Sequence, residues 1–300
     1  MKMIKRNALL LCMALIATFT SCISSSKNEE KQQSLKLRFA YFTDVHLNAT
    51  NRGNGDEAFR KALADAKSKG AQFVLFGGDN IDCDRLNERE ATADSLQARF
   101  KSIVDESGMK AYFTMGNHDR QYVFEGKRDT LGFKMYEKYF GKSEHVHFTE
   151  NGVHFIILNA LYPGDEGAYN VNPEQIEWLK ETLKVIGKEE PIVISTHIPF
   201  LSLYYPVVEG NFKPLDMITN TKEVFEVVSD YNVKLVLQGH QHIYEQIYER
   251  DCWFITAGAI SAKWWTGAFL ETEEGYLMVD VDDKGGFSWE YIDYAWTPAK

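Results

Sequence analysis

The chain has 300 residues, 44% of them hydrophobic, enough to bury a sizeable core as one domain or two. Its formal net charge is −10, with 43 acidic residues against 33 basic ones. A surface that acidic argues against a nucleic-acid polymer or an anionic membrane face as the main partner.

Residues 1–21 hold Lys2, Lys5 and Arg6 and no acids, then an apolar run from Ala8 to Phe19 that is too short to span a bilayer. That is the shape of a secretory signal. Its end, Phe19-Thr20-Ser21-Cys22, resembles a bacterial lipobox, in which small residues precede a cysteine that becomes the lipidated N-terminus. Phe19 departs from the usual Leu or Val there. The expectation is an exported lipoprotein of a bacterial envelope, touching the membrane only through lipid on Cys22; a plain secretory signal cleaved nearby is the alternative. Residues 22–34 are polar and charged and read as a tether, leaving 35–300 as a single domain. Cys83 and Cys252 follow no spacing rule and read as two separate thiols.

Beyond the tether, the run Phe39–Thr43 reads as a buried strand. Asp56–Lys69 carries Ala58, Phe59, Ala62, Leu63 and Ala66 at helical spacing, with an acidic start and a Lys-Gly ending. Phe73–Gly77 is a second strand, Leu86–Val104 a second helix, Met109–Met115 a third strand and Leu131–Phe140 a shorter helix. His145–Phe148 and Val153–Asn159, around Asn151-Gly152, predict a hairpin. Pro173–Ile186 is a helix opened by Asn172-Pro173, Ile192–Thr196 a strand, Thr221–Asp230 a helix and Val233–Gln238 a strand. From Ile243 onward the pattern is short strands: 243–248, 252–256, 276–281 and 287–291. A βαβα alternation followed by a β-rich end predicts an α/β fold of two mixed sheets packed face to face, with helices outside.

Five of these strands end in side chains that are expensive to bury and useful for chemistry. The first ends in Asp44-Val45-His46 and the second in Gly78-Asp79-Asn80-Ile81-Asp82. The third ends in Gly116-Asn117-His118-Asp119, the fourth in His197 and the fifth in Gly239-His240-Gln241-His242. C-terminal strand ends are where open α/β sheets place their sites. Of eight histidines, five lie in these blocks; His145, His147 and His154 alternate with apolar residues on the hairpin and read as strand residues.

In this order the five blocks, D-x-H, G-D-x-x-D, G-N-H-D, H and G-H-x-H, resemble the calcineurin-like metallophosphoesterase superfamily, over about residues 38–242. The resemblance implies a four-layer α/β/β/α sandwich and two divalent or trivalent ions of Mn, Fe or Zn. One ion would be held by Asp44, His46, Asp79 and His242, the other by Asp79, Asn117, His197 and His240, with Asp79 bridging. Carboxylate, imidazole and amide oxygen suit such ions, and a bridging carboxylate offsets the repulsion of cations about 4 Å apart. It also implies hydrolysis of phosphate esters. A hydroxide shared by the metals would attack phosphorus, and His118 would contact the phosphoryl group and protonate the departing oxygen. Asp82 would orient His118; Asp119 would either share that task or cap the loop. In purple acid phosphatases a ligating tyrosine stands where this chain has Asp82, which disfavours that branch.

The stretch Pro173-Glu174-Gln175-Ile176-Glu177-Trp178-Leu179 resembles cyclic-nucleotide phosphodiesterases and Mn-dependent hydrolases of nucleoside-diphosphate-linked compounds. The expected substrate is therefore a small phosphodiester or nucleotide, with a phosphomonoester as the alternative. A non-catalytic surface-binding lipoprotein is the reading from another class. Trp264 and Trp265, and the aromatic stretch Ile198–Pro206 after His197, are the candidate substrate contacts beside Asn117 and His118.

Overall fold

Leu35–Phe42 (β1) places Leu37, Phe39 and Tyr41 on one face and Ala40 and Phe42 on the other, all fully buried. A strand buried on both faces needs a layer on each side. The structure, a computed structural model, describes residues 35–84, 86, 89–163, 168–213 and 216–299. The leader 1–21, Cys22 and the tether 22–34 lie outside the described residues.

After β1 come α1 (Gly55–Ser68), β2 (Phe73–Phe76), α2 (Glu90–Ser107) and β3 (Lys110–Phe113). Two-residue strands β4 (Val123–Phe124) and β5 (Lys127–Arg128) precede α3 (Lys134–Phe140). Then follow β6 (His145–Glu150), β7 (Val153–Leu158), the short β8 (Tyr162–Pro163) and β9 (Tyr169–Asn170), α4 (Pro173–Ile186) and β10 (Ile192–Ser195). The chain ends with α5 (Thr221–Val228), β11 (Val233–Gln238), β12 (Tyr244–Glu249), β13 (Cys252–Ala257), β14 (Gly275–Asp282) and β15 (Phe287–Asp293).

One sheet has the order β15-β14-β1-β2-β3, the other β12-β13-β11-β10-β7-β6. Both are parallel in the middle and antiparallel at an edge: β1, β2 and β3 run together, as do β7, β10, β11 and β13. Between the sheets, Phe155 sets its ring edge-on to Phe39 and Phe73, with centroids 5.2 and 5.4 Å away. Full burial of each such ring stabilises by roughly 1.5–3 kcal/mol. The opposite face of the first sheet packs Phe42, Val74 and Phe76 against Phe59 of α1 and Phe100 of α2. The opposite face of the second packs Ile156, Ile194 and Val236 against Leu179 and Leu183 of α4 and Val224 of α5. The layers are thus α/β/β/α.

Local signals account for the boundaries. Asn172 caps α4 by accepting from the N–H of Gln175 at 2.8 Å, ahead of Pro173 at the first helical position. Asn151 and Gly152 both have positive φ, 47° and 71°, the backbone a two-residue hairpin turn requires. Two helices begin later than their periodicity suggests. Leu86 spends its carbonyl on Gln121 and on a turn to Arg89, so α2 starts at Glu90. Asp129 accepts from the N–H groups of Leu131 and Lys134, so α3 starts at Lys134. The last helix stops at Val228, two residues short of Asp230. Cys83 and Cys252 are separate buried thiols.

Candidate metal centre

Strand register brings the motif-bearing ends level. Phe42 pairs with Phe76 and Phe76 with Phe113, while Ser195 pairs with Leu237 in the other sheet. The ladders continue into the loops: the N–H of Asp44 donates to the carbonyl of Gly78 at 2.9 Å, His46 to Asp79 at 2.9 Å and Gly239 to His197 at 3.0 Å. Asp44, His46, Asp79, His240 and His242 all have φ between 50° and 72°, a region costly for residues with a Cβ. The packing tolerates that strain at the one place where these side chains must turn inward. Gly116 is needed for the same reason: a Cβ there would lie 2.0 Å from the Asp79 nitrogen and 2.2 Å from its Oδ1.

Each imidazole is aimed by a hydrogen bond from its far nitrogen. Nδ1–H of His46 donates to Asp82 Oδ1 at 2.6 Å, that of His197 to the Gly77 carbonyl at 2.9 Å and that of His242 to the Ala262 carbonyl at 2.5 Å. A carbonyl only accepts, so Nδ1 carries a proton in His197 and His242, and Nε2 is the nitrogen that faces inward. His240 is held the other way, with Nε2 3.2 Å from Asp216 Oδ1.

The inward atoms converge. His46 Nε2 and His242 Nε2 are 3.0 Å apart, with Asp44 Oδ1 3.7 and 3.3 Å from them. Asp79 Oδ2 lies 3.1 Å from His197 Nε2 and 3.7 Å from His46 Nε2, so its carboxylate faces both sides. Asp44, His46 and His242 form one cluster with metal-ligand spacing, and Asp79, His197 and His240 another. Asn117 Oδ1 is buried with no hydrogen-bond partner among the described residues, and His197 Nε2 has only the Asp79 carboxylate, at 3.1 Å. An orphaned buried acceptor beside facing ring nitrogens is costly in an empty pocket and favourable around cations. The donors therefore fit a metal site.

The electrostatics agree. Burial would raise the Asp44 carboxyl, yet the His242 and His197 imidazoles hold it well below the usual range. Burial works against Asp79 as well, and His197 and His118 more than offset it. His197 is lowered by burial but pushed up to about 9 by the Asp79 and Asp44 carboxylates. Two ionised carboxylates in a dry site require positive charge nearby.

His118 borders the cluster, its Nε2 3.9 Å from Asp79 Oδ2, and its side chain is 21% exposed. The expectation that Asp82 orients it is corrected. Asp82 is committed to His46, and its Oδ1 lies 4.0 Å from His118 Nδ1, whereas Asp84 Oδ1 lies at 3.0 Å. Asp119 caps the loop: its carboxylate accepts from the N–H groups of Asn80 (2.8 Å), Ile81 (3.0 Å) and Gly116 (2.8 Å).

The two tryptophans part company. Trp264 stacks on His242 with centroids 4.2 Å apart and lines a cavity next to His118. Trp265 is corrected from substrate contact to core: it is 1% exposed, and its indole N–H donates to the His46 carbonyl at 3.2 Å. Both have φ>0, so consecutive rings turn to opposite sides. Of the stretch after His197, Ile198 and Phe200 are buried in the core under α5, while Leu203 is exposed. Asp84, Asp216 and Arg52, another wall of the Trp264 cavity, were not foreseen. Asp84 could have been suspected from its closeness in sequence to Asp82; Asp216 and Arg52 carry no such signal.

The sequence signature of the calcineurin-like phosphoesterase family matches residues 37–244. Purple acid phosphatase 15 of Arabidopsis thaliana is 27% identical over 138 residues, 44% of this chain, and the match spans 24% of that relative's length. A dimetal phosphatase from Danio rerio superposes with a TM-score of 0.64 at 13% identity, covering 89% of this chain and 100% of that one. Purple acid phosphatase PPD1 from yellow lupin (Lupinus luteus) seeds gives 0.60 at 16% identity, covering 88% and 52%. Those two structures share the fold, and the signature spans every strand end that carries a candidate ligand: the chain belongs to the calcineurin-like phosphoesterase family.

Proposed function

We propose that this chain hydrolyses small phosphate esters, phosphodiesters foremost, with two metal ions. Asp44, His46, Asp79 and His242 would hold one ion, and Asp79, Asn117, His197 and His240 the other. The observation that carries this reading is the face-off of His46 Nε2 and His242 Nε2 at 3.0 Å beside Asp44, with Asp79 turned to both clusters. When bound, such ions polarise phosphoryl oxygens and neutralise charge that builds up on them. Their identity among Mn, Fe and Zn is open to the donor set.

The chain's own residues supply the rest. Asn117 and His118 present an amide and an imidazole to the phosphoryl group. Burial lowers the His118 pKa, but the Asp79 charge and the Asp84 hydrogen bond more than offset it and favour the protonated ring. With Nδ1–H on Asp84, the Nε2 proton faces the cleft and passes to the departing oxygen. The cavity of about 440 Å³ beside His118 has room for a second ester group, which favours a diester. Similarity to purple acid phosphatase 15 favours the monoester reading. A binding-only protein has no need of a full ligand set. The chain is proposed to act from a bacterial envelope, anchored by lipid on Cys22.

Turnover of bis(4-nitrophenyl) phosphate against 4-nitrophenyl phosphate, before and after chelation, tests this. The diester should turn over faster, and chelation should abolish both activities until Mn or Zn is restored. Two bound metals without turnover of either ester would contradict it.

A further inference from the structure

The cavity beside His118 carries charges of both signs. Its walls include Arg52, Asp82, Asp84, Lys263 and Trp264. The two carboxylates are engaged, Asp82 by His46 at 2.6 Å and Asp84 by His118 at 3.0 Å. The two cations are not. Neither the Arg52 nor the Lys263 side chain has a hydrogen-bonding or ionic partner among the described residues. Both are exposed, so an anion in the cavity can reach them. In a chain of net charge −10, leaving two cations unpaired on the wall of one cavity favours an anionic occupant.

Their placement is fixed by the core. Arg52 lies in the 3₁₀ turn Arg52–Asn54 before α1, and Lys263 in the turns after β13. Trp265 clasps these two segments together. A Cβ on Gly53 would come within 2.5 Å of the Trp265 carbonyl oxygen, and one on Gly55 within 2.9 Å of its indole. The left-handed backbone at both tryptophans then turns Trp264 the other way, onto His242 and into the cavity wall. The result is a flat aromatic ring and two free cations on the side from which His118 delivers its proton.

We propose that this cavity is a subsite for a leaving group that is itself a nucleotide. Its base lies against Trp264, its phosphate lies between Arg52 and Lys263, and it departs through a sugar hydroxyl. Resting on the phosphoesterase reading, this narrows the substrate to small phosphodiesters whose leaving half carries its own terminal phosphate, such as a 5′-phosphorylated dinucleotide. The bond from phosphorus to the sugar oxygen breaks and a water oxygen takes its place. The sugar oxygen receives the His118 proton, and the proton lost by water restores the imidazole. A sugar alkoxide is a poor leaving group, which gives the general acid a purpose. Base stacking and paired cations are the recurring means of holding such a group.

The test has a binding arm and a turnover arm on the metal-loaded full chain. Calorimetry should show that Arg52→Gln/Lys263→Gln weakens AMP by at least about tenfold while inorganic phosphate, bound at the metals, changes less than about twofold. Trp264→Leu should erase the preference for AMP over ribose 5-phosphate. In turnover, pApA should exceed ApA in kcat/KM by at least about tenfold, and the double variant should lose that preference. Equal loss of AMP and phosphate binding, or no loss of either, overturns the subsite. So does equal kcat/KM for pApA and ApA. If no ester is hydrolysed at all, the phosphoesterase reading fails, and the AMP measurements still decide whether the subsite exists.

Discussion

His118 Nδ1 lies 3.0 Å from Asp84 Oδ1, while Asp82, two residues earlier, places its Oδ1 2.6 Å from His46 Nδ1. Neighbouring carboxylates on one loop thus serve imidazoles with different tasks. One imidazole faces the candidate ligand cluster and the other faces the cleft.

That division predicts two separable phenotypes. Asp84→Asn should lower turnover of esters with poor leaving groups about ten- to hundredfold and leave metal affinity alone. Burial lowers the His118 pKa, and the Asp79 charge and Asp84 hydrogen bond raise it. Losing the Asp84 carboxylate should therefore move the alkaline limb of kcat to lower pH. Asp82→Asn should instead weaken metal binding about ten- to hundredfold, read by metal titration, and leave that limb in place. Identical phenotypes would refute the assignment.

Asp119 is the keystone of the loop that presents Asn117 and His118. Burial and the nearby Asp79 charge push its carboxyl up to about 7, against the hydrogen bonds from Gly116 and Ile81. Asp119→Asn would turn an NH2 group toward donors that need an acceptor. It should destabilise the fold by about 1–3 kcal/mol in urea denaturation. An unchanged midpoint would show that the cap is dispensable.

Export and anchoring are testable at Cys22. Cys22→Ser should move the protein out of the membrane fraction, either released or left unprocessed. An unchanged membrane fraction would remove the lipoprotein proposal.

The layered fold was legible because hydrophobic period and ligand position coincide. Strands such as Ile192–Ser195 are buried throughout and lead straight to a costly side chain, here His197, and α4 begins and ends where Asn172-Pro173 and Gly187 say it should. The partners of those side chains were harder to read. Asp84 and Asp216 reach their histidines by loop geometry, which no periodicity encodes. Trp264 and Trp265 are adjacent and chemically alike, and only a left-handed backbone at both decides that one enters the core and the other the cavity. Arg52 sits among Asn48, Asn51 and Asn54 in a loop that reads as solvated. Its position depends on Trp265, more than two hundred residues away.

Asp79, turned to both ligand clusters, is proposed to join two metals into one catalytic centre. Metal content and bis(4-nitrophenyl) phosphate turnover, measured on the same samples of wild type and Asp79→Asn, test it most directly. The wild type should carry two ions per chain and turn over the ester. The variant should lose at least one ion and at least about a hundredfold in rate, because a neutral amide cannot balance two cations. A variant that keeps two ions and the wild-type rate would rule out a bridging role for Asp79.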